Sequence, residues 1–526
     1  MVSPNFSGAR NWVPLFSTER SHRPGNRAMF PFAEHNPRDA RQLEGTMAAR
    51  EVIGTNARQV VLDDGAIDEL RARVRGRLIR RGDERYDERR KVWNGMIVRN
   101  PALIVECTGT ADVIAAVNFA RDRILPISVR GGGHNVSGTA ISDSGVEIDL
   151  SRMNNVRVDP LRKTARVGGG ATLGQVDHET QAFALAVPAG LMSRTGIAGL
   201  SLHGGLGALT RHYGLTCDNL IGADIITGEG RVLVVDKQNH PDLLWALRGG
   251  GGNFGVVTSF EFRLHPVGPE VWMAIVMYPV EKAARILRFF REQMAQAPDE
   301  LMAIAVFWNT PPEEPMPEGA RNVPALILFA CYSGPFDLGE STIQPLREID
   351  TPLVDLSGPM PYLAAQQLFD PDYPDGRRYY WKSIYLRNLD DTVIDALRRH
   401  ASRRPSPISS LDIWALGGAM NRVAASESAF ARRDAPFLLG IESNWDDSAQ
   451  DDVNVAWARE VYQDMQRRFP TGGAYLNFPG FAEEGEALLK MSFDGNYARL
   501  QEIKAKYDPS NLFRSNLNIT PASTGR

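Results

Sequence analysis

Half of the chain's glycines, 24 of 48, fall between Gly131 and Gly255, in about a quarter of its 526 residues. Glycine reaches backbone conformations closed to other residues and lets two segments approach with no Cβ between them. Short β-branched segments lie among these glycines: GVEIDL, TARVG, ADIIT and RVLVV. Glycine this dense between strands marks backbone wrapped closely around a bulky ligand, or a loop-rich α+β domain packed through tight turns. One such run, RGGGHN at Arg130–Asn135, follows ILPISV, whose LPISV reads as a strand, and ends by presenting a histidine.

A chain of 526 residues is long enough for two core-bearing units, since single cores stop growing near about 250–300 residues. After Pro266 glycine thins out, and apolar runs such as AIAVFW, ALILFA and PFLLGIES are separated by Pro-containing loops. Such runs read as strands of an antiparallel sheet, which places a boundary near residues 265–270. Upstream, Leu70–Arg80 has apolar residues at helical spacing among charges and reads as a surface helix. TADVIAAVNFARDR reads as a second helix, capped by Thr110, with Val113, Ile114, Val117 and Ala120 on one face. Near the end, NYARLQEIKAKY reads as an amphipathic helix, followed by a turn at Asp508-Pro509 and a short return segment.

Composition excludes several classes. With 43 % hydrophobic and 23 % charged residues the chain is a soluble globular protein. A net charge of −4 offers no basic field to nucleic acid or an acidic membrane. No window approaches the roughly 18 apolar residues needed to span a bilayer. The cysteines, Cys107, Cys217 and Cys331, are too scattered for a disulfide framework or a metal site; a reduced cytoplasm fits them. Residues 1–46 show no sustained period and are expected to be disordered, with Met47 a plausible true start and a targeting segment the alternative. Nothing in the pattern fixes an oligomeric state.

Common catalytic signatures are missing. GGGHNVSG lacks the G-x-G-x-x-G spacing, no P-loop motif occurs, and neither H-E-x-x-H nor G-x-S-x-G is found. No metal is expected. Serial backbone N–H groups from Gly131 to Asn135 can still hold phosphates, because a nest of amides binds anions without a Rossmann turn.

Five ordered blocks carry a resemblance: RGGGHNVSG; PAGLMSRTGIAGLSLHGGLGALTRHYGLTCDNLIGADIITGEG; LLWALRGGGGNFGVVTSFEFRLHP; GAYLNF; and YDPSNLFRSNLNI. The chain resembles the FAD-linked oxidases of the vanillyl-alcohol-oxidase/PCMH superfamily, most closely the berberine-bridge-enzyme-like branch. The resemblance implies an α+β fold. A PCMH-type FAD-binding domain would span 50–266 and be completed by 497–526; a substrate domain over 267–496 would rest on an antiparallel sheet backed by helices. It further implies that His134 bonds covalently to the 8α-methyl carbon of the flavin. Relatives often add a cysteine in A-G-x-C-P-T-x-G; here Met192 stands at that position, which implies a single covalent bond. Cys217 reads as a packing residue.

By the same resemblance Arg130, Gly131, Gly132, Gly133, His134, Asn135, Ser137 and Gly138 hold the pyrophosphate side. Gly190, Thr195, Gly196 and Gly199 line the flavin or its ribityl chain, with threonine at 195 leaning towards an oxidase. Ile225 and Val256 flank the adenosine, and Asn516 and Asn518 return near the ring. Tyr475 and Asn477 of GAYLNF would point to one face of a strand, with Tyr475 the first candidate for base or proton relay. A phenol near pKa 10 needs a neighbouring cation for that role, and Lys382 of YYWKS could supply it, or stabilise anionic reduced flavin near N1 or N5. Glu442, in LLGIESNW, is a second candidate base. For Tyr475, Lys382 and Glu442 an ordinary structural role stands beside the catalytic one.

The implied reaction removes a hydride from a C–O or C–N bond of a small organic substrate, and O2 reoxidises the flavin to give H2O2. A dehydrogenase with another electron acceptor, an NADPH-dependent flavin reductase and a non-catalytic flavin-binding member are the alternatives.

Overall fold

The computed structural model describes residues 50–523, apart from 54–58, 315 and 471. The expected disorder of residues 1–46 and the start at Met47 lie outside the described residues.

The fold is α+β. A four-stranded sheet runs in the order Arg77–Arg80, Leu103–Glu106, Val146–Asp149, Ile127–Arg130. Val146–Asp149 pairs in parallel with the strands on both sides. Helix Thr110–Asp122 carries the chain from Leu103–Glu106 to Ile127–Arg130, on the far side of Val146–Asp149, and residues 131–145 then return it to the middle of the sheet. That helix buries Val113, Val117 and Ala120 against Leu103, Val105, Ile127 and Ile148, while Ile114 is only partly buried beside them.

Thr110 is the first residue of this helix rather than its cap; Gly109 occupies the capping position and has no side chain to do so. The stretch Leu70–Arg80 also departs from the single helix its spacing predicts. A helix, Asp64–Arg73, starts at Asp63, whose carboxylate accepts the Ala66 N–H at 2.7 Å. The chain then turns into the strand Arg77–Arg80, because Asp112 accepts the N–H groups of Arg75 and Gly76 at 2.8 and 3.1 Å. A buried carboxylate from another helix outweighs local periodicity.

The glycine-rich region forms an antiparallel five-stranded sheet, ordered Val232–Val235, Leu220–Ile226, Val256–Arg263, Thr164–Gly168, Val156–Asp159. The C-terminal helix Tyr497–Tyr507 packs Leu500 and Ile503 into the core that contains Phe260 and Phe262. Lys504 is fully buried there and donates to the carbonyls of Asn253 and Phe513 and to Asp508 at 2.7, 2.9 and 2.7 Å. Asp508 in turn accepts the N–H groups of Leu512 and Phe513, both at 2.9 Å, which turns the chain back towards Asn516.

Every strand of the large sheet lies between Glu270 and Trp445. It is antiparallel throughout, with Pro324–Tyr332, Leu301–Asn309, Ser410–Ala415, Phe437–Trp445 and Arg378–Leu386 consecutive in space. Helices Ala283–Gln296, Gly339–Arg347, Asp391–Ala401 and Asp451–Arg468 cover one face. Alternation along a strand divides its side chains between faces. Ala303, Ala305 and Phe307 join the helix-side core, whereas Ile304, Val306 and Trp308 point towards the glycine-rich region. The second face, turned to the glycines, forms one wall of a long cleft.

Candidate active site

The opposite wall of the cleft is backbone. Gly131–Asn135, Gly190–Met192, Thr195, Gly196, Gly199, Gly252 and Gly255 all line it. Among the described residues no acceptor takes the N–H groups of Gly132, Gly133, His134 or Asn135. Gly132 and Gly196 lie so close that a Cβ on Gly132 would meet the Gly196 nitrogen at 2.4 Å. Asn135 braces the end of the run: its Oδ1 accepts from the Ser137 N–H at 3.0 Å and the Ser137 hydroxyl at 2.7 Å.

His134 stands at the cleft wall, stacked on Trp93 with ring centroids 4.1 Å apart; Trp93 stacks in turn on Tyr379 at 3.7 Å. Burial, reinforced by the charge of Arg194, pushes the imidazole down to about 3, so it is neutral at physiological pH. Met192 lines the cleft where relatives place a cysteine, and Cys217 is buried with its thiol well above the ordinary range through desolvation.

Several of the expected residues stand outside the cleft lining. The Arg130 guanidinium turns away from the cleft to pair with buried Glu147 at 2.5 Å and to donate to the Lys91 carbonyl at 2.7 Å. Ser137 and Gly138 form the turn behind the loop and do not line the cleft. Ile225 and Val256 are core residues, 0 % and 1 % exposed; strand alternation gives the cleft Val257 instead, with Gly255 beside it. Asn516 does line the cleft, donating to the Gly252 carbonyl at 3.0 Å and leaving its buried Oδ1 without a partner. Asn518 lies outside the lining.

On the sheet side the register decides what faces the cleft. Trp381 lies opposite Glu442, and both line the cleft with Asp412, Trp308 and Trp414. Tyr373 donates its hydroxyl to Glu442 Oε2 at 2.7 Å. Burial raises Glu442 well above the carboxylate range, and the nearby Asp412 raises it further; burial raises Asp412 as well. Asp412 belongs to no motif of the chain. Its signal is there, a lone acid in the apolar strand sequence SLDIWA, of the same kind as the acid in FLLGIESNW. Trp93 and Tyr379, the rings behind His134, carried no motif.

Lys382 does not approach Tyr475. It alternates with Trp381 onto the helix face, where its Nζ pairs with Glu484 at 2.6 Å and lies 4.4 Å from the centre of the Tyr462 ring. There it closes an ion pair on the helix side of the sheet, away from the cleft lining. Lys382→Met is expected to lower stability by about 1–3 kcal/mol through the unpaired glutamate, seen in denaturant unfolding, with kcat of the folded enzyme unchanged.

Tyr475 and Asn477 converge, though not on a strand: Tyr475 lies outside any helix or strand and the chain turns at Leu476–Asn477. The Tyr475 phenol oxygen accepts from the Gly205 N–H at 3.1 Å, the Leu206 N–H at 3.0 Å and Asn477 Nδ2 at 2.8 Å. Burial pushes the phenol up to about 12 and these donors pull it only part of the way back. With no cation beside it among the described residues, Tyr475 stays protonated at neutral pH, and its oxygen serves the cleft wall as the acceptor for these three N–H groups. Tyr475→Phe strands three donors, so unfolding is expected at lower denaturant concentration, by about 1–3 kcal/mol.

Comparison with known proteins agrees with this architecture. A family model described as FAD binding domain matches residues 101–236, and one described as berberine and berberine like matches 474–520. An FAD-linked oxidoreductase of Dictyostelium discoideum is 32 % identical over 466 residues, covering 86 % of this chain and 97 % of that protein. The (R)-6-hydroxynicotine oxidase of Paenarthrobacter nicotinovorans is 29 % identical over 460 residues, covering 85 % and 97 %. The crystal structure of 6-hydroxy-D-nicotine oxidase from Arthrobacter nicotinovorans superposes with a TM-score of 0.75 at 28 % identity, covering 85 % of this chain and 98 % of that one. A fold, a cleft and a pair of matched segments thus converge: the chain belongs to the berberine-bridge-enzyme-like branch of the vanillyl-alcohol-oxidase/PCMH superfamily and is an FAD-linked oxidoreductase.

Proposed function

We propose that the enzyme is an oxidase of a small organic molecule, with FAD attached once, through His134. Two features of the cleft fit that cofactor. The unclaimed N–H groups of Gly132–Asn135 form a nest for a pyrophosphate, and the orphaned Oδ1 of Asn516 offers an acceptor on the same cleft. Bound there, the flavin supplies the hydride acceptor for a C–O or C–N bond and passes the electrons to O2 as H2O2.

The protein's own residues do the rest. His134, neutral and held by the Trp93 stack, keeps a ring nitrogen lone pair free for the 8α-methyl carbon. Met192 has a thioether where a thiolate would be needed for a second bond. Across the cleft, Glu442 with Asp412 accepts the proton that the substrate's O–H or N–H must lose. Tyr373 holds Glu442 in place through its hydroxyl. Aromatic rings of Trp308, Trp381, Trp414 and Phe478 exclude water around that proton transfer.

The observation that carries this reading is a neutral histidine beside unclaimed amides, facing a buried carboxyl pair across one cleft. The test is a panel of amines and alcohols assayed by oxygen consumption and coupled peroxide detection. One peroxide per substrate is expected, with bleaching of the yellow colour under anaerobic conditions and its return in air. Turnover with an artificial dye but none with air would assign the enzyme to the dehydrogenases.

A further inference from the structure

The cleft wall carries a charge argument about what enters it. Among the described residues lining the cleft, Asp412 and Glu442 carry carboxyl groups and none is Lys or Arg. Both are buried, at 7 % and 3 % exposure. Arg404 is the cation that acts on Asp412, but its guanidinium is bonded to the Phe307 carbonyl and, at 2.9 Å, to Asn309 Oδ1, outside the cleft. A buried negative charge without a paired cation is costly.

Two polar atoms on the same wall wait for a partner. Asp412 Oδ1 makes no hydrogen bond, and neither does the Trp414 Nε1 donor, whose residue is 6 % exposed. Around them runs a continuous aromatic surface. Trp308 and Tyr373 have centroids 6.4 Å apart, Tyr373 meets Trp381 edge-on at 5.5 Å, and Trp381 meets Phe478 edge-on at 5.2 Å. Aromatic faces attract cations, most strongly where water is excluded. A neutral sugar or alcohol brings no positive charge to offset the ionised form of the pair, which burial disfavours.

We propose that the substrate enters as an organic cation, a protonated amine that also carries a hydrogen-bond acceptor. Its N–H group binds the Asp412–Glu442 pair, its acceptor takes the Trp414 N–H, and the indole and phenol rings close around it. The N–H bond then breaks and an O–H bond forms on a carboxyl oxygen, which leaves the neutral amine required for oxidation at its C–N bond. This assignment rests on the oxidase reading of the same cleft.

The test compares benzyltrimethylammonium with its neutral carbon isostere, neopentylbenzene, binding to the purified FAD-loaded enzyme, followed by tryptophan fluorescence and by the flavin absorbance band. The cation is expected to bind about tenfold tighter or more. That ratio should fall several-fold in the Asp412→Asn/Glu442→Gln double variant, whose aromatic wall is unchanged, provided it retains its flavin and its unfolding transition. Equal binding of the two probes by the wild-type enzyme overturns the proposal, as does a ratio undiminished in the double variant. An enzyme that holds FAD and yields peroxide from neutral alcohols, with a probe ratio near one, overturns the cation assignment and leaves the oxidase reading standing. A protein that carries no FAD overturns both.

Discussion

Glu442→Gln is expected to lower kcat/KM by about 10²–10⁴-fold, the usual contribution of a positioned proton acceptor. The substitution keeps the size of the side chain and its acceptor for the Tyr373 hydroxyl, 2.7 Å away, so packing is preserved while basicity is lost. Asp412→Asn should act in the same direction, because it removes the charge that raises Glu442. The pH profile separates this loss from a general defect. Burial raises both carboxyls, so the form able to accept a proton appears only as pH climbs above the ordinary carboxylate range of about 4. Wild-type kcat/KM should therefore fall on acidification at a pH well above 4, and the acid limb of Glu442→Gln should be displaced or absent. Steady-state rates between pH 4 and 9 check this; an unaltered profile and an unaltered rate would remove Glu442 from the reaction.

Gly132→Ala is the second large effect, and it acts on the cofactor. Its Cβ would lie 2.4 Å from the nitrogen and 2.6 Å from the Cα of Gly196. Both neighbours are backbone, so no flexible side chain can give way; one loop must move. The moving loop carries the unclaimed amides and His134 together. Overpacking of this kind costs about 1–3 kcal/mol in stability, and the displaced nest should cost most of the bound FAD. The ratio of flavin to protein absorbance in purified protein measures it, with Gly319→Ala as the control, since a Cβ there meets nothing within 4 Å. Equal flavin content in the two variants would show that the loops can separate without loss.

The parts of the fold that rest on local pattern were legible in the sequence. Glycine spacing located the loop at Gly131–Asn135, and β-branched runs located the strands on either side. What was hidden depends on register and on distant partners. Lys382 and Trp381 are neighbours in YYWKS, and only their pairing with Phe437–Trp445 decides that the tryptophan faces the cleft and the lysine the helices. Asp412 reaches Glu442 because Ser410 pairs with Glu442 across two strands, which no spacing within either strand reveals. The Leu70–Arg80 stretch has the spacing of one helix yet breaks for a similar reason: the acceptor that turns it, Asp112, belongs to a later helix.

Tyr475 teaches a related point about chemistry. Its position in GAYLNF marked it correctly as a cleft residue, but its protonation state follows from three donors and the absence of a nearby cation. A residue type gives a range of roles; its neighbours choose among them.

The most direct test of the account is acid precipitation of the purified enzyme, followed by proteolysis and mass measurement. The account predicts a yellow pellet and one flavin mass on the peptide that contains His134, with none on any other peptide and none in His134→Ala. A colourless pellet, with all of the chromophore in the supernatant, would contradict it.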